Sequence, residues 1–92
     1  MVNAVVLMTV KPDLVNEIAS RLVEMQGVSE VYSVGGRFDL VAILRVGSNE
    51  ELSDLVTGKF LKVEGILDSE TLIAFKAYSK HDLERMFSVG MD

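Results

Sequence analysis

The chain has 92 residues, of which 49% are hydrophobic and 25% charged, and its formal net charge at pH 7 is -5. This length fits one small domain with one core, and the apolar fraction excludes a disordered chain. Direct nucleic-acid binding normally needs a basic patch that neutralises phosphates, so an acidic chain with nine scattered Lys and Arg residues argues against it.

The first half of the chain alternates between two periodicities. Apolar residues at every second position predict a strand over residues 2–10. Pro12 suits the first turn of a helix, and the helical spacing that follows it runs to about residue 26, where Gly27 is a natural C-terminal cap. Alternation returns over residues 28–34 and predicts a second strand.

The second half repeats this order. The glycine pair at 35–36 predicts a tight turn into a third strand over residues 39–46, so that strands two and three form an antiparallel hairpin. Ser48 and Glu51 have the spacing of a capping box, which predicts the start of a second helix. A last strand is predicted over residues 66–78.

A short terminal helix over residues 80–87 completes the pattern, with an apolar side that includes Leu83. The order β-α-β-β-α-β is that of the ferredoxin-like α+β fold, expected here as a single domain over residues 1–92. Right-handed crossovers then place both helices on one face of a four-stranded antiparallel sheet with strand order 4-1-3-2.

The second face of this sheet is predicted to be apolar as well. Strand three has Leu40, Ala42 and Leu44 on one side and Val41 and Ile43 on the other. Two helices cover only one face, and an antiparallel sheet that is open to water normally carries polar residues on the other. Either the terminal helix folds back over this face or a second copy packs on it, sheet against sheet; we favour the homodimer.

The residues offer little for catalysis. The chain has no cysteine, which excludes disulfides and thiolate sites, and its single histidine, His81, has no second histidine for a metal site. Glu64, Asp68 and Glu70 form a loose acidic group without the spacing of a known metal loop. No triad and no glycine-rich phosphate loop is present. We therefore expect no enzyme, no cofactor and no metal.

The N-terminus lacks the basic start and the small-residue cleavage site of a signal peptide. No stretch reaches the roughly 18 apolar residues that a membrane helix needs. The chain is therefore expected to be cytoplasmic and to have no membrane partner.

Two local features remain. Asp39 follows a glycine turn and directly precedes an apolar strand. Its carboxylate either closes the turn by accepting from backbone amides or faces a ligand amine, and the residues alone leave both interpretations open. In the last strand, Ser69 and Thr71 place two hydroxyls on one face, although strand propensity alone accounts for Thr71.

Together these features resemble the effector domain of the Lrp/AsnC (feast/famine) transcription regulators. Residues 36–40, Gly-Arg-Phe-Asp-Leu, look like that family's G-x-Y/F-D-L/Y signature, and residues 65–71 look like its G-V-x-x-T-x-T segment. Gly27-Val28 matches the entry to the second strand. The resemblance extends over about residues 2–78, with the motifs in order and in register.

This resemblance implies a RAM module, which in the family forms sheet-to-sheet dimers and often an octameric ring of four dimers. Small effectors, usually amino acids, bind at the contact between dimers. By position, the resemblance implies six ligand-binding residues. Gly36 and Asp39 lie on the turn, Ser69 and Thr71 supply hydroxyls from the neighbouring dimer, and Leu40 and Leu67 form an apolar wall.

Family members usually carry an N-terminal helix-turn-helix domain, whereas strand one is predicted to begin at Val2. We therefore expect a stand-alone module that senses a small molecule and modulates transcription through a full-length Lrp/AsnC regulator. Two alternatives stay open, an ACT-like regulatory domain and a small ferredoxin-like dimeric enzyme. Pro12 stands where an ACT domain usually has its ligand-binding glycine, and the enzymes need catalytic groups that the strands lack.

Overall fold

The computed structural model describes residues 1–78 and Lys80. His81 and all but the first residue of the predicted terminal helix lie outside the described residues. The strands are β1 (Val2–Val10), β2 (Val28–Ser33), β3 (Leu40–Val46) and β4 (Ile66–Ile73), and the helices are α1 (Val15–Val23) and α2 (Asn49–Gly58). Short 3-10 turns at Pro12–Leu14 and Phe60–Lys62 flank the helices.

The four strands form one antiparallel sheet with the order β2-β3-β1-β4. This is the predicted order 4-1-3-2 read from the opposite edge, and it confirms the ferredoxin-like α+β fold. The first strand of the chain therefore lies in the interior of the sheet, while β2 and β4 form its edges.

The core lies between the helices and one face of the sheet. In β1 every second residue from Ala4 to Val10 is buried, while the residues between them are partly exposed. Helix α1 buries Ile18 and Leu22, four residues apart on one side of the helix, and α2 buries Leu52 and Leu55, three residues apart. The buried core is the following set: Ala4, Val6, Met8, Val10, Ile18, Leu22, Leu40, Ala42, Leu44, Val46, Leu52, Leu55, Phe60 and Val63.

The predicted capping box is present at the start of α2. The Ser48 side chain accepts a hydrogen bond from the Glu51 backbone N–H at 3.1 Å. The Glu51 carboxylate accepts in return from the backbone N–H of Gly47 at 2.9 Å, one residue earlier than in the usual motif. The N–H groups of Gly47 and Glu51 have no partner within the helix, and these two side-chain acceptors satisfy them.

Several predicted boundaries are too long. The last strand ends at Ile73 rather than at residue 78, because β1 is its only neighbour and is almost used up there: Ile73 pairs with Ala4, and the Ala74 N–H donates to Asn3 at 2.9 Å. Helix α1 ends at Val23 rather than near residue 26. The connection between β2 and β3 has six residues, 34–39, instead of a tight turn.

The sheet's second face, called the open face below, carries partly exposed apolar residues. Val5 and Leu7 of β1 alternate with the buried residues, and their ladder partners Ile43 and Val41 lie beside them on β3. The described helices pack their buried residues on the opposite face. An exposed apolar surface at the centre of a sheet is typical of a protein–protein contact.

A polar pair lies at the β2 edge of the open face. Glu30 pairs with Ile43 in the ladder, and the Tyr32 hydroxyl donates a short hydrogen bond to the Glu30 carboxylate. That hydrogen bond first, and the negative charge of Glu30 second, raise the pKa of the Tyr32 phenol above its ordinary value.

Candidate functional site

The connection between β2 and β3 is held by backbone bonds at Asp39. The Val34 N–H donates to the Asp39 carbonyl at 3.0 Å, and the Asp39 N–H donates to the Met8 carbonyl at 2.8 Å. The Asp39 Oδ2 accepts from the backbone N–H of Val10 at 2.9 Å. The carboxylate therefore has a structural role between two strands, and its second oxygen retains its capacity to accept.

Gly36 occupies the exposed tip of the same connection. Its φ of +119° lies in the region that favours glycine, and no atom lies within 4 Å of where a Cβ would be. Backbone conformation rather than crowding therefore requires glycine, and the peptide is open to a ligand. The neighbouring Arg37 guanidinium lies 5.3 Å from the centre of the Phe38 ring, a cation–π contact that places a positive charge beside the tip.

The second predicted segment begins at Gly65, where crowding does matter. Its φ is +103°, and a Cβ there would lie 2.8 Å from Leu14 Cδ1 and 2.9 Å from Ile18 Cδ1. Its carbonyl accepts from the Lys11 N–H at 2.9 Å. Glycine at this position lets β4 begin against α1 and beside the end of β1.

The side chains of this segment differ in exposure. Leu67 and Thr71 are exposed, and Ser69 is partly exposed. Ser69 pairs with Met8 and Thr71 pairs with Val6, so both hydroxyls lie on the helix side of the sheet. They belong to an edge strand and remain accessible there.

The two segments reach the same end of the sheet but are separated by β1. Leu40, Met8 and Ser69 form one row across three strands. Neighbouring strands lie about 4.8 Å apart, so the Leu40 and Ser69 backbones are about 10 Å from each other. Leu40 itself is fully buried in the core, so it would support a pocket wall without contacting the ligand. One copy of the chain therefore does not gather all six predicted residues around one ligand.

Two of the clefts that the described residues form lie elsewhere. One of about 410 Å³ lies between α2 and the end of β3 and is lined by residues that include Arg45, Asp54 and Lys59. The other, of about 440 Å³, lies along α1 and includes Lys11 and Arg21. None of the six predicted residues lines either cleft.

Sequence reasoning missed one participant in this site and one feature outside it. The backbone N–H of Val10 holds Asp39, and no side-chain pattern reveals a backbone donor. The feature outside the site is Asn3, at the other end of β1, whose Oδ1 is the one buried side-chain polar atom in residues 1–78 and Lys80 that has no hydrogen-bond partner there. A lone amide within an apolar strand is the signal that would have found it.

Within the described part of the chain, no helix is long and apolar enough to cross a membrane. In the same part, no group of three or more His, Cys, Asp and Glu side chains has the geometry to hold a metal ion.

Comparison with known families decides what this sheet and its two segments represent. The model of the Lrp/AsnC ligand binding domain matches residues 3–83. The chain belongs to this family. The match covers both segments and most of the chain, and it favours the regulator module over the ACT-like and enzyme alternatives.

Relatives of this Lrp/AsnC domain are named as transcription regulators. The HTH-type transcriptional regulator FL11 of Pyrococcus furiosus is 31% identical over 77 residues, which cover 84% of this chain and 50% of FL11. The HTH-type regulator YugG of Bacillus subtilis is 30% identical, over 84% of this chain and 45% of YugG. The chain thus spans about half the length of the curated relatives it matches.

Solved structures agree with the fold. TTHA0845 from Thermus thermophilus is 42% identical with a TM-score of 0.82, and the match covers 87% of this chain and 100% of that one. The regulator NMB0573 from Neisseria meningitidis, solved as its L-Met complex, is 15% identical with a TM-score of 0.76, over 85% of this chain and 52% of NMB0573. The second comparison shows a shared fold alone.

Proposed function

We propose that this Lrp/AsnC domain is a non-enzymatic sensor that binds an amino acid and passes the signal to a transcription regulator by changing assembly. The observation that carries the proposal is the Asp39 carboxylate, which is anchored through Oδ2 to Val10 beside the exposed peptide of Gly36. An anchored carboxylate suits an ammonium group, and open glycine peptides suit a carboxylate. An amino acid carries both groups.

A second copy supplies the rest of the proposed pocket. Ser69 and Thr71 are accessible on an edge strand, but β1 separates them from the turn of their own chain. The hydroxyls of a neighbouring dimer would complete the polar shell around a ligand held at Asp39. The exposed Leu67 would contact the ligand side chain, and Leu40 would support the wall from the core.

The open face supports the proposal of self-association. Val5, Leu7, Val41 and Ile43 form a partly exposed apolar surface at the centre of the sheet, and packing two such sheets buries apolar area at about 25 cal/mol per Å². We propose a homodimer through this face and assembly of four dimers into an octamer. Association with a full-length Lrp/AsnC regulator through the same contacts would couple the effector to DNA without direct contact.

The precedent for the ligand class comes from the fold. NMB0573, which shares this fold over 52% of its chain, was solved as an L-Met complex, and this supports an amino acid as the ligand class proposed here. L-methionine is therefore the first ligand to test, followed by the other nineteen amino acids.

Isothermal titration calorimetry of the whole chain tests the proposal. We expect saturable heat with one amino acid or a small set, and at least a tenfold loss of affinity in Asp39→Asn, which keeps an acceptor for Val10 but removes the charge. Asp54→Asn, an exposed carboxylate on α2, is the matched control and should bind normally. Absence of heat with all twenty amino acids, or equal binding by Asp39→Asn, contradicts the assignment.

A further inference from the structure

The connection between β2 and β3 carries a charged group that has no part in the pocket proposed above, the guanidinium of Arg37. Arg37 is exposed and lies between Gly36, whose peptide is open, and Asp39, whose carboxylate is anchored to Val10. It is the one cationic residue in the sequence of residues 34–40. Three groups that recognise charge therefore lie within four consecutive residues.

The contact of this guanidinium leaves its hydrogen-bond donors available. It lies over the Phe38 ring, with its central carbon 5.3 Å from the ring centre. Contact with an aromatic face uses the positive charge but not the N–H donors, which lie in the plane of the guanidinium. Phe38 is partly buried, so the contact keeps the guanidinium beside the tip of the connection. A carboxylate is the partner that this planar set of donors binds best, through two parallel hydrogen bonds.

The charges of the connection predict the charges of its ligand. The Asp39 carboxylate suits one ammonium group, and the Gly36 peptide suits the carboxylate on the same carbon as that ammonium. Arg37 adds a second group that binds an anion, one residue from Gly36. A ligand that matches all three groups has one ammonium and two carboxylates.

The side of β4 that carries the hydroxyls is compatible with such a ligand. Ser69 and Thr71 lie on the helix side of the sheet. The carboxylates of Asp68 and Glu70 alternate with them and lie on the open face. The strand proposed to complete the pocket therefore presents hydroxyls rather than carboxylates on that side, and hydroxyls donate to a ligand carboxylate without repelling it.

We infer that Arg37 determines ligand specificity and that the effector of this chain is a dicarboxylic amino acid, aspartate or glutamate in the standard set. The inference rests on the proposed function and adds the class of the ligand side chain. The guanidinium binds the side-chain carboxylate, while Asp39 and the Gly36 peptide bind the groups on the α-carbon. The corresponding amides, asparagine and glutamine, have nearly the same shape but bring no negative charge to Arg37, so they bind more weakly.

Isothermal titration calorimetry of the full chain with matched acid and amide ligands tests this inference. We expect L-glutamate or L-aspartate to bind about tenfold more tightly than L-glutamine or L-asparagine, respectively. Arg37→Gln should weaken binding of the acid about tenfold and leave binding of the amide nearly unchanged. Arg37→Lys keeps the charge but not the planar donors, so it should retain part of the preference. Arg21→Gln, which changes an exposed arginine on α1, is the matched control and should bind like the wild type.

The outcomes separate this inference from the proposed function. Equal binding of acid and amide, or a preference that survives in Arg37→Gln, overturns the role of Arg37. Tightest binding of an amino acid with an uncharged or basic side chain also overturns it. In each of these cases the proposed function still holds if binding requires Asp39. Absence of heat with all twenty amino acids overturns the proposed function and this inference with it.

Discussion

The carboxylate of Asp39 accepts a hydrogen bond from the backbone of Val10 at 2.9 Å, across 29 positions of the chain. The regular ladder between β1 and β3 ends at the pair Met8–Leu40. The Asp39 carboxylate thus gives the Val10 N–H the acceptor that a backbone carbonyl would have supplied if the ladder had continued. Asp39, which the motif suggests as a ligand contact, therefore also links the connection before β3 to the end of β1.

This double role predicts different results for two substitutions at one position. Asp39→Ala leaves the partly buried Val10 N–H without its acceptor and should lower the free energy of unfolding by about 1–2 kcal/mol. Asp39→Asn keeps a side-chain oxygen and should cost less. Urea denaturation measures both values, and equal stability of Asp39→Ala and wild type would show that the bond contributes nothing.

Substitution by alanine should destabilise the protein at Gly65 but not at Gly35. Gly65→Ala combines a φ of +103° with contacts below 3.0 Å to Leu14 and Ile18, so we expect a loss of about 2–4 kcal/mol. Gly35 has no atom within 4 Å of its Cβ position and no positive φ, so Gly35→Ala should be neutral or slightly stabilising. Thermal unfolding of the pair provides the comparison, and a Gly65→Ala variant as stable as Gly35→Ala would rule out close packing there.

The capping box of α2 should contribute measurably to the free energy of unfolding. Ser48→Ala removes the acceptor of the Glu51 N–H and should destabilise the protein by about 1 kcal/mol. Ser53→Ala, within the same helix and exposed, serves as the control and should have no cost because alanine favours helix. If both variants lose stability equally in urea, the cap is not the cause.

The pair of Glu30 and Tyr32 predicts a pH dependence. The raised pKa of Tyr32 means that the folded state favours the protonated phenol, so this contribution to stability is present below the ordinary pKa of about 10 and is lost as the pH rises through the raised value. In a Tyr78→Phe background, Tyr32 is the one tyrosine left and its ionisation is followed by ultraviolet absorbance. Glu30→Gln should move that titration to lower pH, and an unchanged curve would contradict the interaction.

Much of the fold was predictable because it depends on periodicity. Alternation in β1 and β3, the helical spacing of Ile18 and Leu22, and the Ser48–Glu51 spacing are local signals, and they yielded the element order and the sheet order. The ends of elements were less predictable, because β4 stops where its neighbour β1 runs out, and that limit depends on tertiary pairing rather than on the residues of β4.

The candidate site was predictable only as a set of residue types. The resemblance to the family motifs suggested Asp39 and Ser69 as ligand contacts, which stays a prediction, but the separation of the two by β1 follows from strand order. The core position of Leu40 follows from its pairing with the buried Met8, and this was implicit in the alternation of β3. A backbone donor such as the Val10 N–H carries no side-chain signal at all.

The position of β1 has a consequence for how the molecule folds. It precedes both of its ladder partners in the chain, and its pairing with β4 joins residues as distant as Ala4 and Ile73. The β2–β3 hairpin and the two helices depend on local contacts, so we expect them to form early, whereas the ladder between β1 and β4 requires the last strand of the sheet. Until then one edge of β1, a strand that is apolar on both sides, has no neighbour, so we expect this edge to be prone to aggregation when refolding is slow or the protein is concentrated.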